Sequence, residues 1–374
     1  MRELTSNTFK VALATKNGAY FLTPDEERKK WDLSKPFLMD ENVNKVVGDG
    51  YGNYFAASLS EGVFKSTDSG KTWKPSNKGL HVRKVWEIEA DPHHRGTVYA
   101  GTQFGHLFKS TNSGDNWEEM VSLHDAPNRQ NWGIDWGYNT TGLTIHTIKF
   151  DPTTPDRIFI VAAGNGTYRS DDGGKTWKSL KNGLNSTCTI DTNKLISSAS
   201  DIAPPEEKLS KHLAEVHSDT HKIVVSPKDG RVYQQNHCGT FFSDNHGDLW
   251  RDVSIDKHNR FGFSVDLVES GAPHVFIVPV PDTGECKDHN VCIQGQLSVY
   301  STTDGGKSWT RHTKGLPDKV HTNVLRDSFT HDNTEHPGLY FGTTTGDMYF
   351  SGDLGNSWKN IGTGLGRIQG VNVV

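Results

Sequence analysis

Ser66-Thr67-Asp68-Ser69-Gly70-Lys71-Thr72-Trp73 is a stretch that returns five more times with small changes, ending at Trp117, Trp177, Trp250, Trp309 and Trp358. Its chemistry is that of a tight turn between antiparallel strands. Asp68, replaced by Asn112 and Asn245 in two copies, caps neighbouring backbone N–H groups, and Gly70 takes the positive φ that other residues resist. The closing Trp offers a flat apolar surface to pack between sheets. A fixed turn recurring every roughly 40 to 70 residues is the mark of stacked supersecondary units. These turns are architectural, so function has to be sought elsewhere.

Aligning the copies gives the repeating unit. An inner strand ends in a polar or Asp-Pro corner, as from Trp86 to Asp91-Pro92, from His146 to Asp151-Pro152 and from His221 to Ser226-Pro227. A second strand follows (97–102, 157–162, 231–236), then a third entered through Gly105, Gly166 or Gly239, then the turn and a fourth strand opened by the Trp. Four short strands per repeat without helical periodicity predict an all-β fold, a β-propeller. The N-terminus supplies one blade more. Residues 9–15 and 18–22 match second and third strands, Thr23 to Trp31 is a decayed turn, and the C-terminal 366–374 can provide the missing inner strand. Seven blades closed by the two chain ends are expected, in a single domain spanning 1–374, because closure removes exposed edges.

Composition narrows the function classes. Lys and Arg number 40 against 45 Asp and Glu, a net charge of -5, with no basic stripe for nucleic acid. No run of 18 apolar residues suggests a membrane span, and Met1-Arg2-Glu3-Leu4 lacks a hydrophobic leader, so a cytoplasmic location is the default expectation. Cys188, Cys238, Cys286 and Cys292 fit that compartment as thiols, although Cys286 and Cys292 share one loop and could bridge under oxidising conditions. Nothing in the sequence fixes an oligomeric state.

Propeller topology assigns the long insertions a side. Residues 118–143 and 178–219 connect blades and 280–296 joins a second to a third strand, so all three should extend the face opposite the repeated turns, where binding loops gather. Trp86, Trp132 and Trp136 are the indoles left over from the turns, suited to stacking on a sugar or to pinning a loop on the rim. Gln103 and Asn165, in second-to-third-strand connections, are further candidates for ligand contact. His146 and His221 share the inner-strand position of Trp86, and His237 ends the strand paired with that of His221. Alternation adds His217 and Asp219 to the face of His221. Such a cluster could hold a divalent metal such as Zn²⁺, act in acid/base chemistry, or be plain hydrogen-bonded channel histidines. Asp266, Arg326, Asp327 and Glu87 are the charged channel candidates. Arg326 and Asp327, read as neighbours on the inner strand 323–327, should point to opposite sides. His93, His94, His246, His258, His331 and His336 are expected on the turn-bearing face, in solvent.

With the turns, the Asp-Pro corners and the stretches Leu143-Thr-Ile-His146-Thr-Ile148, Asn323-Val-Leu-Arg-Asp327 and Tyr340-Phe-Gly-Thr-Thr-Thr-Gly346 in view, the chain resembles the sialidase superfamily of Asp-box (BNR) repeat proteins, and within it a prokaryotic exo-alpha-sialidase-like group. The resemblance implies a propeller, and a hydrolase acting on a carbohydrate. The same turn also occurs in sortilin-type receptors, xyloglucanases and photosystem assembly factors. The chain departs from the sialidase pattern in having Lys10-Val-Ala12 where an Arg-Ile-Pro motif belongs, and only Arg326 and Arg367 as channel arginines. The expectation is therefore a sialidase-like hydrolase of a carbohydrate or similar polar small molecule, with His146, His221, His237, Asp266 and Arg326 catalytic. The alternative is a non-catalytic propeller that binds a glycan or a protein.

Overall fold

The computed structural model describes residues 9–129, 132, 143–184, 219–255, 261–280 and 295–374. These form seven four-stranded antiparallel sheets. The chain is a seven-bladed β-propeller, as the repeats predict. Blade 1 is composite: Ile368–Val373 is its inner strand, followed by Val11–Thr15, Gly18–Pro24 and Trp31–Leu33. The closing register pairs Val11 with Val373 and Leu13 with Val371; Val11, Leu13 and Val371 are buried and Val373 partly so. The inner strands of blades 2 to 7 are Val43–Gly48, Val85–Ala90, Ile145–Phe150, Thr220–Val225, Gly262–Ser270 and Phe329–His331.

The repeated turn works as its residues imply. In all six copies the glycine N–H donates to the first Ser or Thr hydroxyl at 2.8–3.0 Å. The Asp or Asn Oδ1 then accepts from the backbone N–H four residues on, at 2.8–3.0 Å. Gly174, at φ +89, shows why glycine is needed: a Cβ there would also stand 2.0 Å from Met120 Cε. In the decayed copy Asp25 still accepts from Lys29 N at 2.7 Å. Some of the tryptophans bind one blade to the last, Trp117 Nε1 donating to Ser76 O at 2.7 Å and Trp250 Nε1 to Leu180 O at 2.9 Å. Apolar clusters fill each blade-to-blade seam, as where Val47, Phe55 and Val63 meet Ile88, Phe108 and Trp117. Replacing Asp172 by Ala should therefore cost about 1 kcal/mol through a lost cap. A urea midpoint equal to that of the parent would show that the turn does not need it.

One feature of the inner strands positions the site. In six blades the inner strand slips register by one residue against its neighbour, leaving Gln369, Asn44, Trp86, His146, His221 and Phe263 as the bulged residues in turn. A bulge re-aims its side chain and breaks strict alternation. Trp86, His146 and His221 thus occupy one position in consecutive blades, as expected. In blade 7 the bulge is two residues longer. Asn323 O and Ser328 O accept from Thr344 N and Gly342 N, and Leu325-Arg326-Asp327 loop out between them. The expected inner strand at 323–327 is corrected accordingly: Arg326 lies in a turn, and the strand begins at Phe329. Among the described residues no helix is long and apolar enough to cross a membrane.

Candidate functional site

The channel is lined with charge on the inner strands. Lys45 is buried and bonds Glu87, and also Glu89 at 2.8 Å; Lys149 reaches Glu89 at 3.0 Å. From blade 5, Lys222 crosses to blade 7, donating to Phe329 O at 3.2 Å and standing 4.0 Å from Asp327. Burial pushes the Glu87 carboxyl up to about 8 against the pull of Lys45. Burial also works against the charge of Lys45, but Glu87, Glu89 and Asp327 outweigh it and its pKa is raised. Lys45, Glu87 and Lys222 each directly follow the slip, so the facing of their strands is offset by one there; Glu87 is the one of these that the sequence also offers as a channel candidate.

Near one end of this charged lining Asp219, His221 and His237 come together, one ligand atom of each lying within 4.8 Å of the others. His221 Nε2 is 3.6 Å and His237 Nδ1 3.5 Å from Asp219 Oδ2. Asp219 Oδ1 accepts from Gly164 N at 3.1 Å, and Asp219 O accepts from His237 N at 2.9 Å, so the carboxylate is held from blades 4 and 5. Burial opposes its charge, but the two imidazoles keep its pKa well below the usual carboxylate range. His221 Nδ1 is 2.6 Å from Gly262 O. A carbonyl only accepts, so Nδ1 carries a proton, and Nε2 is the ring nitrogen that faces Asp219. Phe263 stacks on His221 at 4.8 Å, and Phe261 meets both imidazoles edge-on, at 5.4 and 4.8 Å. Sequence reasoning passed over both phenylalanines.

The other expected residues divide. His146 is buried and neutral: burial, the Arg326 charge and His221 all depress its pKa, with Asp219 opposing. It belongs to this electrostatic neighbourhood but not to the close trio. Arg326 interacts with Asp327, Asp219 and Glu87, and its Nε is buried without a partner. Asp327 joins the same charge network, so the expectation that the two residues point apart is corrected; a turn does not alternate as a strand does. Trp86 Nε1 is likewise buried without a partner. Gln103 is buried, bridging to Thr144 of the next blade, and Asn165 Nδ2 donates to Ala163 O at 3.0 Å. Trp132 is a loop anchor rather than a ligand platform: it is 7% exposed, its Nε1 donates to Tyr168 Oη at 2.7 Å, and Arg129 covers its ring at 4.5 Å. Trp136, His217 and His258 lie outside the described residues, as do most of the three insertions.

Three corrections concern partners. Asp266 does not support the trio; it accepts from His331 Nδ1 at 2.7 Å. His331 is on the inner strand of blade 7 rather than in solvent, because the longer bulge shifts that strand toward the corner. Burial works against its charge, yet Asp266 raises its pKa. Cys238, beside His237, is buried and disulfide-bonded, so its reading as a free thiol does not hold; Cys188, Cys286 and Cys292 lie outside the described residues.

These shifts set a pH dependence. Burial holds His146 well below 6.5, and burial together with His312 brings His274 to about 4. Below about 6.5 the unfolded chain binds protons that the folded one does not, so stability should fall as the pH drops through that window. His331 runs the other way: its pairing with Asp266 stabilises below about 6.5 and fades as the pH rises through its raised pKa. His146→Asn should flatten the acid slope in urea titrations at pH 7 and pH 5. An unchanged slope would mean that His146 is protonated in the fold.

Comparison with known proteins extends the picture. A family model described as "Sortilin, neurotensin receptor 3" matches residues 61–222, less than half the chain. Over 303 residues the chain is 27% identical to Xyloglucanase Xgh74A of Acetivibrio thermocellus, covering 72% of this chain and 31% of that protein. It spans about a third of the length of the curated relatives it matches. An ancestral GH74 enzyme superposes with TM-score 0.56 at 16% identity, covering 95% of this chain and 40% of that one. YCF48 bound to D1 peptide gives TM-score 0.50 at 14% identity, covering 91% and 92%. At these identities the structural likeness shows the fold alone. The expected propeller is met, and the similar proteins carry the names of xyloglucanases rather than sialidases.

Proposed function

We propose that this propeller is a hydrolase of carbohydrates, and that its reaction centre is Asp219, His221 and His237 at the channel mouth. The observation that carries the proposal is the trio's geometry. Separations of 3.5 and 3.6 Å are long for hydrogen bonds but match the roughly 3.4 Å between ligands of a tetrahedral ion with bonds near 2.05 Å. The Nδ1–H of His221 backed by a carbonyl is the arrangement that orients a metal-ligating imidazole. The donor set suits Zn²⁺, which when bound with an open position would lower the pKa of a water. Asp219 stays ionised, and Phe261 and Phe263 exclude water from one side. The kinship with xyloglucanases points to β-glucan chains as the substrate class. The Cys238 disulfide adds an oxidising compartment to the proposal.

The test is release of reducing ends from xyloglucan and other β-glucans, with metal content measured on the same preparation. His237→Ala should fold and lose turnover by about 100-fold or more. The second reading, a binding propeller, draws on the likeness to a single-propeller chain solved with a peptide. Oligosaccharide or peptide binding without turnover, indifferent to His237→Ala, would favour it.

A further inference from the structure

We propose that the rim of blade 3 carries a second, structural metal site, formed by His81, His106, Glu119 and His124, for an imidazole-preferring divalent ion such as Zn²⁺. The four residues come from three separate pieces of chain. His81 lies in the connection between the strands Lys74–Pro75 and Val85–Ala90, and His106 immediately precedes the strand Leu107–Ser110. Glu119 ends the strand Glu118–Glu119, and His124 is in the 3-10 helix Val121–Asp125. Their side chains nonetheless converge on one carboxylate. His106 Nδ1 is 2.5 Å and His124 Nε2 2.8 Å from Glu119 Oε1, while His81 Nε2 is 3.5 Å from Oε2. Ligand atoms of His81, His106 and Glu119 lie within 4.8 Å of one another. The rings of His81 and His124 flank that of His106 at 5.4 and 5.7 Å, and Phe108 backs His81 at 5.0 Å.

Three imidazoles and one carboxylate converge here as a ready donor set, and a cation accepting the imidazole lone pairs would draw on all four residues. Three nitrogens and one oxygen select Zn²⁺, Cu²⁺ or Ni²⁺ over Ca²⁺ or Mg²⁺, which prefer oxygen ligands. His81 and His124 keep about half of their side-chain surface, 55% and 45%, so an ion has an entry path. Bound there, it ties the connection entering blade 3 and the segment leaving it to that blade's third strand. Its role is to fix the rim, not to take part in the reaction at the channel mouth.

The experiment titrates Zn²⁺ into chelator-stripped protein carrying His237→Ala, which silences the channel trio. One equivalent should bind, with a rise in melting temperature. Adding His106→Ala should weaken that binding by at least about 100-fold, and Glu119→Gln should do so by a similar factor. His81→Ala, at an exposed position, serves if either variant fails to fold. Lys109→Ala should leave the isotherm unchanged. Absence of Zn²⁺ uptake in the His237→Ala protein, or uptake that persists undiminished in all the rim variants, would overturn the site without touching the channel proposal. Turnover that survives His237→Ala, with rim binding intact, would fault the channel proposal alone.

Discussion

Asp219→Asn should fold and lose about 1,000-fold in kcat/KM on a β-glucan substrate. The amide keeps an oxygen for Gly164 N, so the connection that seats residue 219 against blade 4 survives. It cannot keep the charge. Among the described residues Asp219 is a carboxylate that both His221 and His237 face, and the two imidazoles hold it ionised. An uncharged amide directs N–H donors or a weak acceptor at two imidazole nitrogens, which removes both an anionic ligand and the partner that orients His237. The trio then no longer binds an ion or stabilises an imidazolium. Metal content measured alongside turnover separates these effects. Turnover within tenfold of the parent, at equal folded fraction, would show that the reaction centre lies elsewhere.

The second large effect is on stability. Lys45→Met should destabilise the propeller by about 3–5 kcal/mol, the cost of stranding a buried charge. Glu87 is fully buried and its Oε2 already lacks a partner. Without Lys45 the carboxyl must either remain charged in the channel or take up a proton, while Glu89 still has Lys149. Lys45→Met combined with Glu87→Leu should regain most of the loss, because removing both partners leaves no orphaned ion. Urea denaturation of the single and double variants gives the comparison. A double variant no more stable than Lys45→Met would mean that Glu87 is not held by Lys45.

The architecture was legible because the turn is local. Asp68, Gly70 and Trp73 act within eight residues, so six copies and a seventh decayed one disclose the blade count without any knowledge of tertiary contacts. The pairing of the chain ends followed from a missing strand. His221, His237 and Asp219 were also within reach, since strand pairing and alternation bring them to one level. What escaped detection depends on departures from regular strands or on contacts between loops. The one-residue slips place Lys45 and Lys222 in the channel beside the expected Glu87 and add Phe263 to the His221 ring. The longer excursion at Leu325-Arg326-Asp327 moves His331 from an expected solvent corner to the partner of Asp266. Trp132 looked like a sugar platform because sequence cannot show that Tyr168 and Arg129 already occupy its edges and face. His81, His106, Glu119 and His124 have no fixed spacing, and only the meeting of three loops reveals them.

The most direct measurement is a crystal structure of the protein with a xyloglucan-derived oligosaccharide, collected with anomalous data at the zinc edge. Sugar density over Trp86 and Arg326, with its glycosidic oxygen turned toward Asp219, His221 and His237, is the expected result. Sugar bound only on the face of the six repeated turns, with Asp219 and both histidines free of ligand and ion, would contradict it.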